Sequence, residues 1–264
     1  WRHEAAQCGL GLTFAFVVTH NHFVLDRGGK VFKQSAPVIK LPAGATEDEY
    51  LDLLAEAAAG YGVALTPAQL AQLERYIEMV MRWGQVANLT GAGTALAFAR
   101  EQVIDSLAVV PYAGAGRLLD VGSGNGLPGV VLAIARPDLA VTLLEPRAKR
   151  ARFLTQVRIE LGLANVEVVC ARVEHHRPRA DYDTLIARAF AALPDFVAAS
   201  RALRGPGTRL LAMKGQLLAA ELQACALPAA VLKTVSLTVP GYAERHLVVI
   251  EADGAASEAD AFVP

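Results

Sequence analysis

Cysteine is scarce. The 264 residues contain only Cys8, Cys170 and Cys225, an odd number, far apart, with no CxxC pair. That excludes a disulfide framework or a thiolate zinc site as the organising device and fits a reducing, cytoplasmic setting. An excess of one charge sign is also missing: 25 Lys and Arg face 26 Asp and Glu, a formal net charge of −1. No overall basicity announces a nucleic-acid partner. Long hydrophobic runs are lacking as well. The run Gly9 to Val18 is far shorter than the roughly 20 residues of a bilayer span, so no membrane association is expected. It lacks a small-residue cleavage site, and Glu4 stands where a secretory signal wants positive charge. His175-His176 has no third ligand candidate at a recognisable spacing, so no metal site is expected. There is no internal repeat and no low-complexity tract.

What is present divides into four parts. Residues 1–45 show little helical periodicity and read as a leader, fused or disordered; the chain opens on Trp1 rather than Met. Within them, His22 to Leu25 and Val31 to Phe32 could form a hairpin about Gly28-Gly29. Residues 46–112 read as helical. Thr46 suits one helix start. Thr66, Pro67 and Gln69 make a second, as cap, first residue and capping-box partner. Leu70, Leu73, Ile77, Val80 and Met81 then recur at helical spacing. A third helix is expected from about Ala95 to Val110, burying Val103, Leu107 and Val110. Residues 113–252 alternate strands and helices. Strands are expected at Leu118–Val121, Ala140–Leu144, Val166–Cys170, Thr184–Ala187 and Arg209–Met213. Helices are expected at Gly129–Ala135, Arg147–Leu161 and Pro194–Leu203. Val231–Val239 and Leu247–Glu251 should close the sheet as an antiparallel pair about Gly241. Residues 253–264 read as a flexible tail. The fold class is therefore α/β, Rossmann-like, with a mostly parallel seven-stranded sheet, a C-terminal antiparallel strand and an N-terminal helical region.

The chemistry concentrates in Leu118 to Gly129, LLDVGSGNGLPG. Gly122, Gly124 and Gly126 follow the first strand of the alternating region as GxGxG. A dinucleotide site prefers GxGxxG, and Leu127 stands where its third glycine would be. Asp120 before the glycines would repel a pyrophosphate but can organise the loop and favour a cationic amino-acid group. The pattern thus points to S-adenosylmethionine (SAM). Glu145, 25 residues after Asp120, ends the next strand. A carboxylate there can accept both ribose hydroxyls, as in NAD sites; equally, it can serve as a helix-entry acid before Pro146. No NPPY-like tetrapeptide or Pro-Cys pair marks an amino-group or pyrimidine methyltransferase, and Cys170 reads as a core residue. From Leu143 to Gly215 there are 13 Lys and Arg against 7 Asp and Glu, a local basic excess that suits a phosphate-rich partner or an ordinary solvated surface.

An ordered set of strings resembles the bacterial 16S ribosomal RNA guanine-N7 methyltransferase family, also called glucose-inhibited division protein B. The set runs from Trp83 to Thr90 (WGQVANLT) and Asp105-Ser106-Leu107 through LLDVGSGNGLPG and Ala135-Arg136-Pro137. It continues with Lys149-Arg150, Arg152-Phe153-Leu154, Val173-Glu174 and Arg188-Ala189-Phe190-Ala191, and ends at Met213-Lys214-Gly215 and Glu244 to Val249. The resemblance covers about Leu70 to Glu251. Gly84 replaces the family's usual Asn, and Gln102 its usual His three residues before DSL. Residues 1–45 do not match; HNHFVLDRGGKVFKQSAPVIKLP is faintly similar to tails of restriction-modification DNA methyltransferases.

The resemblance implies an enzyme that takes SAM and methylates N7 of guanine 527 in 16S ribosomal RNA or the small ribosomal subunit; a monomer is expected. It implies SAM contacts at Gly122, Leu127, Val173, Glu174 and Arg188, which join Asp120, Gly124 and Glu145. Arg188 is the expected catalytic residue. Arg147, Lys149, Arg150 and Arg152 are expected to grip RNA, with Lys214 and Arg245 as further candidates. Guanine N7 has a free lone pair, so direct in-line displacement without a general base is expected. Methylation of another acceptor, or SAM or RNA binding without catalysis, is the alternative.

Overall fold

The computed structural model describes residues 22–25, 31–34, 50–87, 89–190, 192–216, 219–225 and 232–251. Most of the leader, Cys8, the helix start at Thr46 and the tail lie outside the described residues. Strands β1 (His22–Leu25) and β2 (Val31–Gln34) pair antiparallel, as the expected hairpin does.

Helix α1 spans Tyr50–Gly60 and α2 spans Pro67–Ala87. The start of α2 is a capping box. Thr66 Oγ1 accepts from Gln69 N at 3.2 Å, and Gln69 Oε1 accepts from Thr66 N at 2.8 Å. Two backbone donors that no helical carbonyl can reach are thereby satisfied. Leu73, Tyr76, Ile77 and Val80 of α2 are buried, with Leu70 and Met81 packed beside them. The third helix is not continuous. Helix α3 (Ala95–Phe98), capped by Thr94, passes through a π-helical stretch, Ala99–Val103, into α4 (Ile104–Leu107). Ile104 N bonds to Ala99 O, one residue wider than an α turn.

From Arg117 the chain alternates: β3 (Arg117–Val121), α5 (Gly129–Ala135), β4 (Ala140–Leu144), α6 (Ala148–Glu160) and β5 (Val166–Val169). Then follow β6 (Tyr182–Arg188), α7 (Leu193–Ala199), β7 (Arg204–Lys214), α8 (Ala219–Ala224), β8 (Leu232–Ser236) and β9 (His246–Glu251). They form one seven-stranded sheet ordered β5-β4-β3-β6-β7-β9-β8. Strands β3 to β7 run parallel, and β9 lies antiparallel between β7 and β8. This is the mostly parallel sheet expected from sequence.

Alternation along each strand sends side chains to two cores. Leu118, Leu143, Ile186 and Leu211 join the core with α1 to α6, while Leu119, Leu144, Leu185 and Leu210 join the one with Phe196 of α7. Some boundaries move. The helix expected to Leu203 ends at Ala199 and continues as a 3₁₀ turn, Arg201–Leu203. Strand β7 begins at Arg204, ahead of the expected start at Arg209, and its pairing with β6 shifts register between Tyr182 and Thr184. Strand β5 ends before Cys170, so Cys170 is exposed and not the core residue expected. The chain order reverses at β3, between β4 and β6. In an open α/β sheet the crevice beyond the carboxyl ends of such strands is the place for a ligand.

Candidate functional site

The expected cofactor residues converge on that crevice. Asp120 lies on β3, fully buried. Its Oδ2 accepts from Gly129 N, the first residue of α5, at 3.0 Å, so the carboxylate closes the strand–loop–helix turn. Its Oδ1 is buried without a hydrogen-bond partner. Burial pushes the carboxyl up from 3.8 to about 7; the bond from Gly129 and the charge of Arg188 pull the other way. Gly129 has no alternative: a Cβ there would lie 2.6 Å from Asp120 Oδ2 and 2.3 Å from Leu143 Cδ2.

The loop folds onto the end of β4. Gly122 N and Ser123 N donate to Leu144 O at 2.8 and 3.1 Å. Gly122 has φ of 75° and nothing within 4 Å of a notional Cβ. Backbone at that point is therefore open to close approach by a ligand. Glu145, 3% exposed, straddles the loop and the next helix: Oε2 accepts from Gly124 N and Oε1 from Arg147 N, each at 2.9 Å. The helix-entry reading of Glu145 is thus met in part, since Arg147 is the cap of α6. Leu127 is 2% exposed and packs in the main core, which leaves only its backbone for a ligand.

Val173 and Glu174 form a 3₁₀ turn with His175, past the end of β5. Val173 packs against the second core, and Glu174 is exposed. His176 is buried, with Nε2 2.9 Å from the Tyr182 hydroxyl; burial holds its pKa below the ordinary value. Among the described residues no group of His, Cys, Asp and Glu is arranged to hold a metal.

Arg188 ends β6, half-buried. The next residue, Ala189, has φ of 54°, an unusual conformation for a residue with a Cβ. Arg188 Nη2 donates to Gln102 Oε1 at 3.2 Å. The same oxygen receives Asn125 Nδ2 at 3.3 Å, and Gln102 Nε2 donates to Thr90 Oγ1 at 2.8 Å. Tyr76 of α2 donates to Asn125 O at 2.9 Å; burial raises its pKa well above the ordinary value. The helical region therefore grips both the glycine loop and the arginine. Sequence reasoning noted Gln102 only as a departure and Asn125 only as part of the loop string; it gave no role to Tyr76.

The six expected RNA residues fall into two groups. Arg147, Lys149 and Arg152 are exposed at the start of α6, and Arg150 is half-buried, with Nη1 3.8 Å from a notional Cβ on Gly124. Lys214 and Arg245 instead meet acids. Lys214 Nζ is 2.5 Å from Glu221. Arg245 Nε is 3.3 Å from Oδ1 of the buried Asp105, and its guanidinium lies 3.6 Å from the Tyr242 ring centre. Burial raises the Asp105 carboxyl, with Arg245 and Arg188 opposing.

Comparison with known proteins agrees with this architecture. Residues 69–248 match the family described as rRNA small subunit methyltransferase G. The ribosomal RNA small subunit methyltransferase G of Nitrosococcus oceani is 46% identical over 188 residues, covering 71% of this chain and 88% of that protein. The protein of the same name from Pseudomonas aeruginosa is 43% identical over 208 residues, covering 78% of this chain and 97% of the relative. With residues 69–248 matched and relatives above 40% identical over most of their length, the chain belongs to the rRNA small subunit methyltransferase G family.

Proposed function

We propose that the chain is a SAM-dependent methyltransferase that modifies N7 of a guanine in 16S ribosomal RNA, position 527 by the family resemblance. The observation that carries the cofactor is the pairing of an orphaned, buried Asp120 oxygen with a glycine loop open at Gly122. A ligand bearing a cationic amino-acid end would stabilise the Asp120 charge that burial opposes. Gly122, Gly124 and the Leu127 backbone line the approach. Each Glu145 oxygen keeps a second lone pair for a ribose hydroxyl. Val173 and Glu174 stand beyond the end of β5, where they would flank the adenine.

SAM, when bound, supplies an activated methyl group that guanine N7 can take in line with its own lone pair. The residues therefore need to orient and hold, with no proton to remove, and positioning is the main source of rate. Arg188 is the catalytic residue in this reading. The methylated base is cationic, so its guanidinium serves best against O6, a phosphate or the cofactor carboxylate, and not against N7. Arg147, Lys149, Arg150 and Arg152 supply phosphate contacts. Lys214 and Arg245 stand beside Glu221 and Asp105, whose charges offset theirs, so they are the weaker candidates for RNA. Among the described residues no helix is long and apolar enough to cross a membrane; we place the protein in the cytoplasm, acting as a monomer on the small ribosomal subunit or its RNA.

The test is transfer of labelled methyl from SAM to small subunits lacking the modification, followed by mapping of the mark. Label at a guanine N7 is expected. Tight SAM binding without transfer to subunits or to free 16S RNA would overturn the reading.

A further inference from the structure

We infer that Gln102 is a positioning residue that holds the Arg188 guanidinium beside the glycine loop through a neutral acceptor; this rests on the role proposed above for Arg188. Gln102 lies in the π-helical stretch Ala99–Val103, a distortion that recurs at functional sites. Its side-chain oxygen takes two donors, Arg188 Nη2 at 3.2 Å and Asn125 Nδ2 at 3.3 Å. Its amide nitrogen donates to Thr90 Oγ1 at 2.8 Å, and that hydroxyl oxygen also accepts from Ala92 N at 3.1 Å. Its main-chain carbonyl accepts from Ser106 Oγ at 2.8 Å.

The partners dictate how the amide is turned. A guanidinium can only donate, so oxygen must face Arg188 and nitrogen must face Thr90. One side chain thus ties β6, the glycine loop and the segment before α3 into a single arrangement. The acceptor is also uncharged. Asp105, whose titration feels Arg188, has its Oδ1 turned to Arg245 at 3.3 Å. Gln102 therefore fixes the direction of Arg188 without cancelling the charge that it turns toward cofactor or RNA.

Four variants test this, with small subunits as substrate and SAM affinity measured separately by calorimetry. Gln102→Leu keeps the bulk and removes the acceptor. It should lower kcat about 10- to 100-fold, the range expected for losing a bond to a charged group, while SAM affinity falls no more than about fivefold. Arg188→Ala should lose most turnover, and adding Gln102→Leu to it should cost little more. Gln102→His offers a neutral ring nitrogen to Arg188 and an N–H to Thr90 at pH 8 and should recover most of the loss. Its activity relative to the parent should then drop with pH below about 6.5, as the imidazole becomes a donor on both sides.

A full additional loss from Gln102→Leu on top of Arg188→Ala, or normal turnover by Gln102→Leu alone, overturns the positioning role and leaves Arg188 in place. Normal turnover by Arg188→Ala overturns the role of Arg188 itself. Should Gln102→Leu fail to fold, a flat pH ratio for Gln102→His overturns the inference.

Discussion

At the scale of the residue, two carboxylates do most of the organising, and they differ in legibility. Asp120 was readable as the acid beneath a glycine loop, because its place between a buried strand and GxGxG leaves it few partners. Its raised pKa was not, since it follows from complete burial and from an oxygen without a donor. Glu145 was readable as either of two things. One oxygen holds the entry to α6, and the other holds Gly124 N, a bond across 21 residues that no local pattern records. The Asp120 titration has a definite sign. Its carboxyl rises from 3.8 to about 7 on folding, so between those values the folded chain holds a proton that the unfolded chain has released. That contribution to stability is fully present below about pH 4 and is lost as pH rises through about 7. Asp120→Asn keeps an oxygen for Gly129 N and removes the titration. Urea melts should show the variant gaining on the parent by on the order of 2 kcal/mol between pH 5 and pH 8. Its SAM affinity should also lose any rise with pH near 7. A stability difference independent of pH would show that Asp120 ionises normally.

At the scale of the element, what was legible was whatever repeats or begins with a cap. Helix α2 announced itself through Thr66, Pro67, Gln69 and an apolar stripe, and the structure forms the capping box at 3.2 and 2.8 Å. The break in the third helix was hidden because a π turn inserts one residue without changing composition; Val103, Leu107 and Val110 are all buried, as its stripe implies. The first residues of β7 were hidden for the opposite reason. Gly205-Pro206-Gly207 spells a turn, yet Thr208 Oγ1 bonds both Gly205 N and Tyr182 O and draws the run into the sheet. Six-residue α8 carries no buried residue and so left no stripe to read. The cap of α2 has a consequence at a distance, since this helix carries Tyr76 to the Asn125 carbonyl. Thr66→Ala should destabilise the fold by about 1 kcal/mol, read as a lowered urea midpoint. SAM affinity should fall little, because Gln69 also bonds Ile134 O at 2.7 Å and still anchors the first turn of the helix to α5.

At the scale of the molecule, the alternation of strands and helices was legible, but the order of the sheet was not. Nothing local says that β9 inserts between β7 and β8, or that β3 and β6, some 60 residues apart, lie side by side. That adjacency brings Asp120 and Arg188 to one crevice. The same argument applies to charge. A net charge of −1 gives no general attraction to RNA, so affinity must come from a local face. Arg147, Lys149 and Arg152 are exposed at the start of α6, where Glu145 ties that helix to the loop. Arg147 meets Glu145 through its backbone N–H, so replacing its side chain leaves the site bonded. Alanine at all three positions should therefore weaken RNA binding and flatten its dependence on salt while leaving SAM affinity intact. If each side chain neutralises one phosphate, the slope of log affinity against log salt should become shallower by about 2 to 3. An unchanged slope would assign these cations to ordinary solvated surface and move the RNA face elsewhere on the molecule.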